Sequence, residues 1–355
     1  MAQSYSNSGG SGNRQYLVLV KNTGITWGGV SNGNRFLVVG SPNSTIWFPS
    51  GGTVSSMSIT FDFGCPKIVD EAKWYQDNGT AQGTWKWQGS NDDSSYTDIG
   101  SSFTLGGATP FQTQTQLNGN TTPYRYYRLL GISGSTSSSP FQQGVLFQID
   151  AVSSSVNDYG NTEGAGDRTA TMTVTQSQSA GHGDLIFGRA GVQDPIMSLF
   201  VDNLNRVDSS GTGALEFKTG FEAVSGKWIR FQFSGYRIID EIRWFQDTTD
   251  TNGTWKVQGS NDGTTFVDIG STFTLGGAWD GAYGYSRITT PNGNTTAYLY
   301  YRLLGVSGNG SLNPFIFEAA FRTKDGAAPA TGSLFRASNL SGIGSGGALF
   351  SDPLG

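Results

Sequence analysis

Residues 238–277 read IIDEIRWFQDTTDTNGTWKVQGSNDGTTFVDIGSTFTLGG, and residues 68–107 read IVDEAKWYQDNGTAQGTWKWQGSNDDSSYTDIGSSFTLGG. Aligned without a gap, 24 of these 40 positions are identical, which marks an internal duplication. The match resumes after a loop of unequal length, where NGNTTPYRYYRLLGISG from Asn118 answers NGNTTAYLYYRLLGVSG from Asn292. Further on, Pro140-Phe141 answers Pro314-Phe315, and upstream Met57, Ile59, Phe61 and Phe63 alternate as Ile229, Phe231 and Phe233 do. The expected division is an N-terminal arm (1–13), a first domain (14–152), a linker (153–166), a second domain (167–324) and a Gly/Ala/Ser-rich tail (325–355).

Period-two alternation punctuated by Gly, Asn, Asp and Ser predicts an all-β chain. One face of the second copy would hold Ile229, Phe231 and Phe233, with Ile242 and Trp244, Trp255 and Val257, Tyr301 and Leu303, and Phe315 to Phe321 continuing the pattern. Short strands at this spacing suit a jelly-roll β-sandwich in each copy. Strands are expected to open the two copies at 16–20 and 169–174. Composition agrees: 52 of 355 residues are Gly, twice the usual share of about 7%, and charged residues are only 14%. Trp74, Trp85, Trp244 and Trp255 fall on the alternating strands and read as core. The QGSNDG run reads as a tight turn, because its residues tolerate positive φ.

The motif WKVQGSNDGTTFVDIG, followed by YYRLLG and PFIFEAAF, resembles the discoidin domain, the type C domain of coagulation factors V and VIII, and carbohydrate-binding modules with the same galactose-binding-like jelly roll. Trp255, the turn from Ser260 to Gly263, Arg302 and Glu318 carry the likeness in the second copy. Trp85, the turn from Ser90 to Asp93, and Arg128 carry it in the first, with Gln148 taken as the counterpart of Glu318 and Asp93 replacing the turn glycine. Modules of this kind often hold a structural calcium between an early Asp loop and a final Glu. The resemblance therefore implies calcium (Ca2+) at Asp202 and Glu318 in the second copy, whereas the first offers neutral Asn32 and Gln148.

Several chemistries are excluded by the residues. With one His and one Cys, the chain lacks a nucleophilic triad and a normal zinc set; His182 in AGHGD has nothing to orient it. Asp70-Glu71 and Asp240-Glu241 recur, but adjacent strand residues point to opposite faces, so the pairs read as strand-entry charges rather than glycosidase carboxylates. No Gly-rich phosphate loop is present. A net charge of −5 argues against nucleic-acid partners. The opening MAQSYSNSGGSGNR has neither a charged n-region nor an apolar h-region, which leads us to expect neither secretory export nor membrane insertion. Asn-x-Ser/Thr triplets, as at Asn120 and Asn294, are then loop composition.

Binding is expected in the loop that differs most. Residues 278–291, AWDGAYGYSRITTP, are four longer than residues 108–117 of the first copy. They gather Trp279, Tyr283 and Tyr285 with Asp280 and Arg287, a mixture that suits the apolar face and hydroxyls of a sugar, equally suits a protein interface, and is open also to the plainer reading that the aromatics pack over the barrel end. The first copy offers Trp27, Trp47 and Phe48 as exposed-loop candidates. The resulting expectation is a non-enzymatic adhesin-like protein similar to bacteriophage tail, fibre or capsid-associated proteins. It would be made in the host cytoplasm, lie in the virion, form homo-oligomers and bind a host-surface glycan. The alternative is a purely structural virion assembly protein whose discoidin-like domains bind neighbouring subunits.

Overall fold

The computed structural model describes residues 17–29, 34, 37–38, 46–107, 114–117, 119–140, 143–150, 155–159, 172–177, 187–188, 216–217, 223–246, 250–276, 287–288, 293–311 and 317–329. Among them the chain is all-β, and each half builds a β-sandwich of jelly-roll type from the same strand layout.

In the first half, strands β1 (Leu19–Thr23), β2 (Ser58–Lys67), β7 (Tyr124–Ser133), β4 (Thr84–Ser90) and β5 (Thr97–Thr104) lie in the order β1-β2-β7-β4-β5. The facing sheet is β6 (Gln114–Gln116), β3 (Val69–Gln76) and β8 (Gln143–Ile149), in the order β6-β3-β8. In the second half, one strand, β12 (Trp228–Gln246), does the work of both β2 and β3. Its first part pairs with β9 (Met172–Gln176) and β16 (Tyr298–Ser307), its second with β17 (Phe317–Asp325) and β15 (Arg287–Ile288). Strands β13 (Thr251–Ser260) and β14 (Val267–Gly276) complete the larger sheet. Two short strands, β10 (Phe187–Gly188) and β11 (Glu216–Phe217), pair apart. Strand β1 starts at Leu19, later than the alternation suggested; of the strand expected at 169–174, Met172–Val174 fall in β9 and 169–171 lie outside the described residues.

Period-two alternation places the large side chains between the sheets, and each half has its own apolar cluster. Trp85, Trp244 and Trp255 are fully buried and Trp74 nearly so. The packing itself is duplicated: Phe61 meets Phe147 edge-on at 5.0 Å, as Phe231 meets Phe321 at 5.0 Å. Tyr127 and Tyr301 also repeat a polar duty. Each hydroxyl donates to a carbonyl at the bend of the long strand pair (Lys67 O and Arg237 O, 2.8 Å each) and accepts the amide two residues on, Val69 or Ile239. Asn120 and Asn294 donate to the carbonyls of those same two residues, at 3.0 and 2.9 Å, so the NGNTT motif is a structural tie.

The Ser-Asn-Asp turns are structural as well. Ser260 Oγ accepts the amides of Asp262 and Gly263, and Asp262 Oδ1 accepts those of Thr264 and Thr265 at 2.7 Å each. Gly263 holds φ +72°, and in the first copy Asp93 takes the same left-handed conformation at φ +60°. The amides of Thr265 and Thr264 and the Ser260 hydroxyl hold the Asp262 carboxyl well below the usual carboxylate range, and Asp92 is held likewise by Ser95, Ser94 and Ser90. Because the folded pKa is the lower one, this contribution is complete above the unfolded Asp value of about 3.9 and is lost as pH falls towards the folded value. Urea titrations from pH 5 to pH 2.5 should therefore show a smaller acid-induced loss of stability in Asp262→Asn than in the parent; equal losses would contradict this assignment.

Candidate functional site

The segment from 277 to 292 is anchored on both sides. Strand β14 ends at Gly276, and β15 pairs Arg287 with Arg243 and Ile288 with Ile242. In the first half β6 pairs Thr115 with Lys73 and Gln116 with Ala72, so the four extra residues of the second copy are shared between the two sides of one short strand. Trp279, Asp280, Tyr283 and Tyr285 lie outside the described residues. Arg287 is placed in the backbone of β15.

Among the first-half candidates, Phe48 is a correction. It is fully buried and packs on Trp27 at 4.9 Å, Trp85 at 5.8 Å and Trp74 at 6.3 Å, because an unbranched aromatic can fill the space these rings leave open beneath the loop. Trp27 is half-buried and its Nε1 donates to Asn34 Oδ1 at 2.7 Å. Trp47 is half-buried too: its backbone pairs with Gly28, and its indole lies so close that a Cβ on Gly28 would come within 2.0 Å of Nε1.

Asp202, one of the two expected calcium ligands, lies outside the described residues. Glu318 sits in β17 opposite Phe245, and its side chain is outside them as well. The register also corrects the matching of the two copies at this strand. Gln148 faces Glu71, and the residue facing Glu241 is Arg322; the counterpart of Gln148 is therefore Arg322, and that of Glu318 is Gly144, opposite Tyr75. The spacing from Pro140 and Pro314 fixes the same register.

Among the described residues a dense charge cluster lies where the halves meet, and the sequence reading did not assemble it. Arg125 of β7 donates from Nε to Asp62 Oδ1 at 2.8 Å and from Nη2 to Asp62 Oδ2 at 3.1 Å, and the same Nη2 reaches Glu241 of the other half at 3.2 Å. Tyr159, from the expected linker, donates its hydroxyl to Glu241 at 2.6 Å and stacks beneath the Arg243 guanidinium, 3.8 Å from its ring centroid. Arg243 in turn donates to the Asp62 carbonyl at 3.2 Å. Arg322 grips Asp240 with two bonds (2.7 and 2.9 Å) and donates to the Gly64 carbonyl across the junction at 2.6 Å. Beside them Asp158 pairs with Lys67, and its backbone exchanges hydrogen bonds with Thr323 of β17.

Two local features make this possible. Gly64 has φ +80°, and a Cβ there would come within 2.6 Å of the Tyr159 ring, so only glycine allows the approach. The ladder between β12 and β17 shifts between Ile239 and Glu241. This bulge corrects the expectation that Asp240 and Glu241 point apart: both carboxylates reach Arg322, at 2.7 and 3.4 Å.

Electrostatically the cluster is balanced and largely buried. Burial opposes the charge of Arg125, but the Asp62 hydrogen bond and the charges of Asp62 and Glu241 outweigh it and hold the guanidinium pKa above its ordinary value. Arg322 is held up in the same way, by Asp240 and Glu241. Burial pushes the Tyr159 phenol well up, and it pushes the Cys65 thiol up to about 12, with Asp158 adding to the rise. Cys65 is therefore a neutral thiol, 3.1 Å from Asp158 Oδ2, and a poor nucleophile.

No family model matches the chain, and no curated protein does. Among solved structures it is similar to an allantoicase (12% identity, 88% of this chain and 92% of that one, TM-score 0.31). It is similar also to a fucolectin from striped bass (Morone saxatilis) serum (10% identity, 89% and 99%, TM-score 0.29). A third is the family 32 carbohydrate-binding module of Clostridium perfringens NanJ in complex with galactose (15% identity, 43% and 94%, TM-score 0.28).

Proposed function

We propose that the chain is a non-catalytic, adhesin-like glycan-binding protein whose two discoidin-like halves stand in tandem, with the main binding loop at residues 277–291. The observation behind this reading is the division of labour among aromatics. The four strand tryptophans common to both copies are spent in the cores, while three aromatics of the second copy, Trp279, Tyr283 and Tyr285, cluster in the segment where the copies differ most. The fucolectin and the galactose-bound module named above support a sugar as the ligand class. The non-catalytic reading is supported by the commitment of Asp240 and Glu241, the adjacent carboxylates of the second copy, to one guanidinium, where a glycosidase pair would face across a cleft. A virion location, with host-surface glycan as target, rests on the composition.

A glycan array probed with the full chain tests this. Trp279→Ala with Tyr283→Ala should abolish binding while leaving the melting temperature unchanged. Array binding that survives both substitutions would refute the loop as the site. Absence of binding by the parent chain, with the loop protected from proteolysis in an oligomer, would favour the assembly role.

A further inference from the structure

The junction forms a second candidate pocket, open to solvent. A cavity of about 390 Å³ is lined by Gly64, Pro66 and Arg125 from the first half, Val156 and Asn157 from the connecting segment, and Asp240 and Arg322 from the second. That volume lies within the usual range for small-molecule sites, roughly 300–1,000 Å³. Its walls are specific to this one place in the duplication. The counterparts of Gly64, Pro66, Arg125 and Arg322 are Ser234, Tyr236, Leu299 and Gln148, so neither half alone repeats the chemistry. Most positions that line this cavity thus differ between the copies, Asn91 and Asp240 excepted, which recur as Asn261 and Asp70.

The polar groups on offer define a ligand. The Asn157 side-chain oxygen is buried with no hydrogen-bond partner, an acceptor that a bound donor would satisfy. Arg125 uses Nε and Nη2 in the ion pairs, and its Nη1 takes part in none of these bonds. Asp240 adds a carboxylate edge, and half-exposed Val156 and Pro66 add apolar surface. Four cations (Lys67, Arg125, Arg243, Arg322) face four anions (Asp62, Asp158, Asp240, Glu241), so the site has no surplus charge to attract an ion. We propose that this cavity binds a small uncharged polyol, a sugar residue with adjacent hydroxyls, one accepting from Arg125 and one donating to Asn157. This site is separate from the loop at 277–291 and does not depend on it.

Saturation-transfer NMR on the full chain, with methyl α-galactoside and methyl α-glucoside as probes, tests the proposal in the Trp279→Ala/Tyr283→Ala background. At least one glycoside should give a signal there, because saturation transfer registers weak binding of a free glycoside that a washed array of immobilised glycans does not retain. Adding Asn157→Leu, which removes the acceptor, or Val156→Arg, at a half-exposed lining position, should cut that signal at least tenfold while the melting temperature stays at the parent value. The proposal is overturned if the loop variant gives no signal with either probe, or if the signal persists through both cavity substitutions. Failure of the loop reading alone, with array binding unaffected by the loop changes, leaves these readings untouched.

Discussion

Trp255→Ala should cost the second half about 4 kcal/mol, a shift of roughly 10 °C in its unfolding transition. The side chain is fully buried against the cluster that includes Ile229, Phe231 and Phe321, and its Nε1 donates to the Asn252 carbonyl at 2.6 Å. Alanine removes the ring, leaves a cavity that the two sheets cannot collapse to fill, and orphans a buried carbonyl. Because the first half has its own cluster around Trp85, its unfolding should be affected far less. Differential scanning calorimetry would show the unfolding of the second half moving below that of the first. An unchanged thermogram would mean that Trp255 is not a core residue.

Arg125→Leu should have an effect nearly as large, about 3 kcal/mol, through a different mechanism. The substitution leaves Asp62 and Glu241 buried with less compensating charge, and breaking a buried ion pair from one side is costly. Leucine is a fair test because Leu299 occupies the same strand position in the other half, so the sandwich itself accepts it. The loss should fall on the contact between the halves: protease cleavage within 151–171 should accelerate, and the melting should separate into two steps. Parent-like cleavage and a single transition would contradict the role given to Arg125.

The two sandwiches were legible in the sequence, and the junction was not, for one physical reason. Repetition exposes what both copies need: the alternating Ile59/Ile229 and Phe61/Phe231, the tryptophans, and the Asp92 and Asp262 turns all do the same work twice. The junction is built from residues that differ, with Asp62 against Gln232, Arg125 against Leu299 and Arg322 against Gln148, and a search for likeness passes over them. Asp240 and Glu241 were visible, but the alternation rule assigns them opposite faces, and it fails at a bulge. Phe48 misled for a simpler reason: a loop position in sequence says nothing of what fills the space beneath the loop. A signal was available in the differences themselves. Charged residues present in one copy and neutral in the other, on strands that otherwise match, mark a surface used once.

The central claim is that the shared positions carry the fold and the divergent loop carries recognition, and a loop exchange tests it most directly. Residues 278–291 would be replaced by ATPFQTQTQL, the sequence of residues 108–117, and the full chain assayed for far-ultraviolet circular dichroism, melting temperature and array binding. The predicted result is an unchanged β spectrum and melting temperature with glycan binding lost. Retained binding to the same glycans, or a chain that no longer folds, would contradict it.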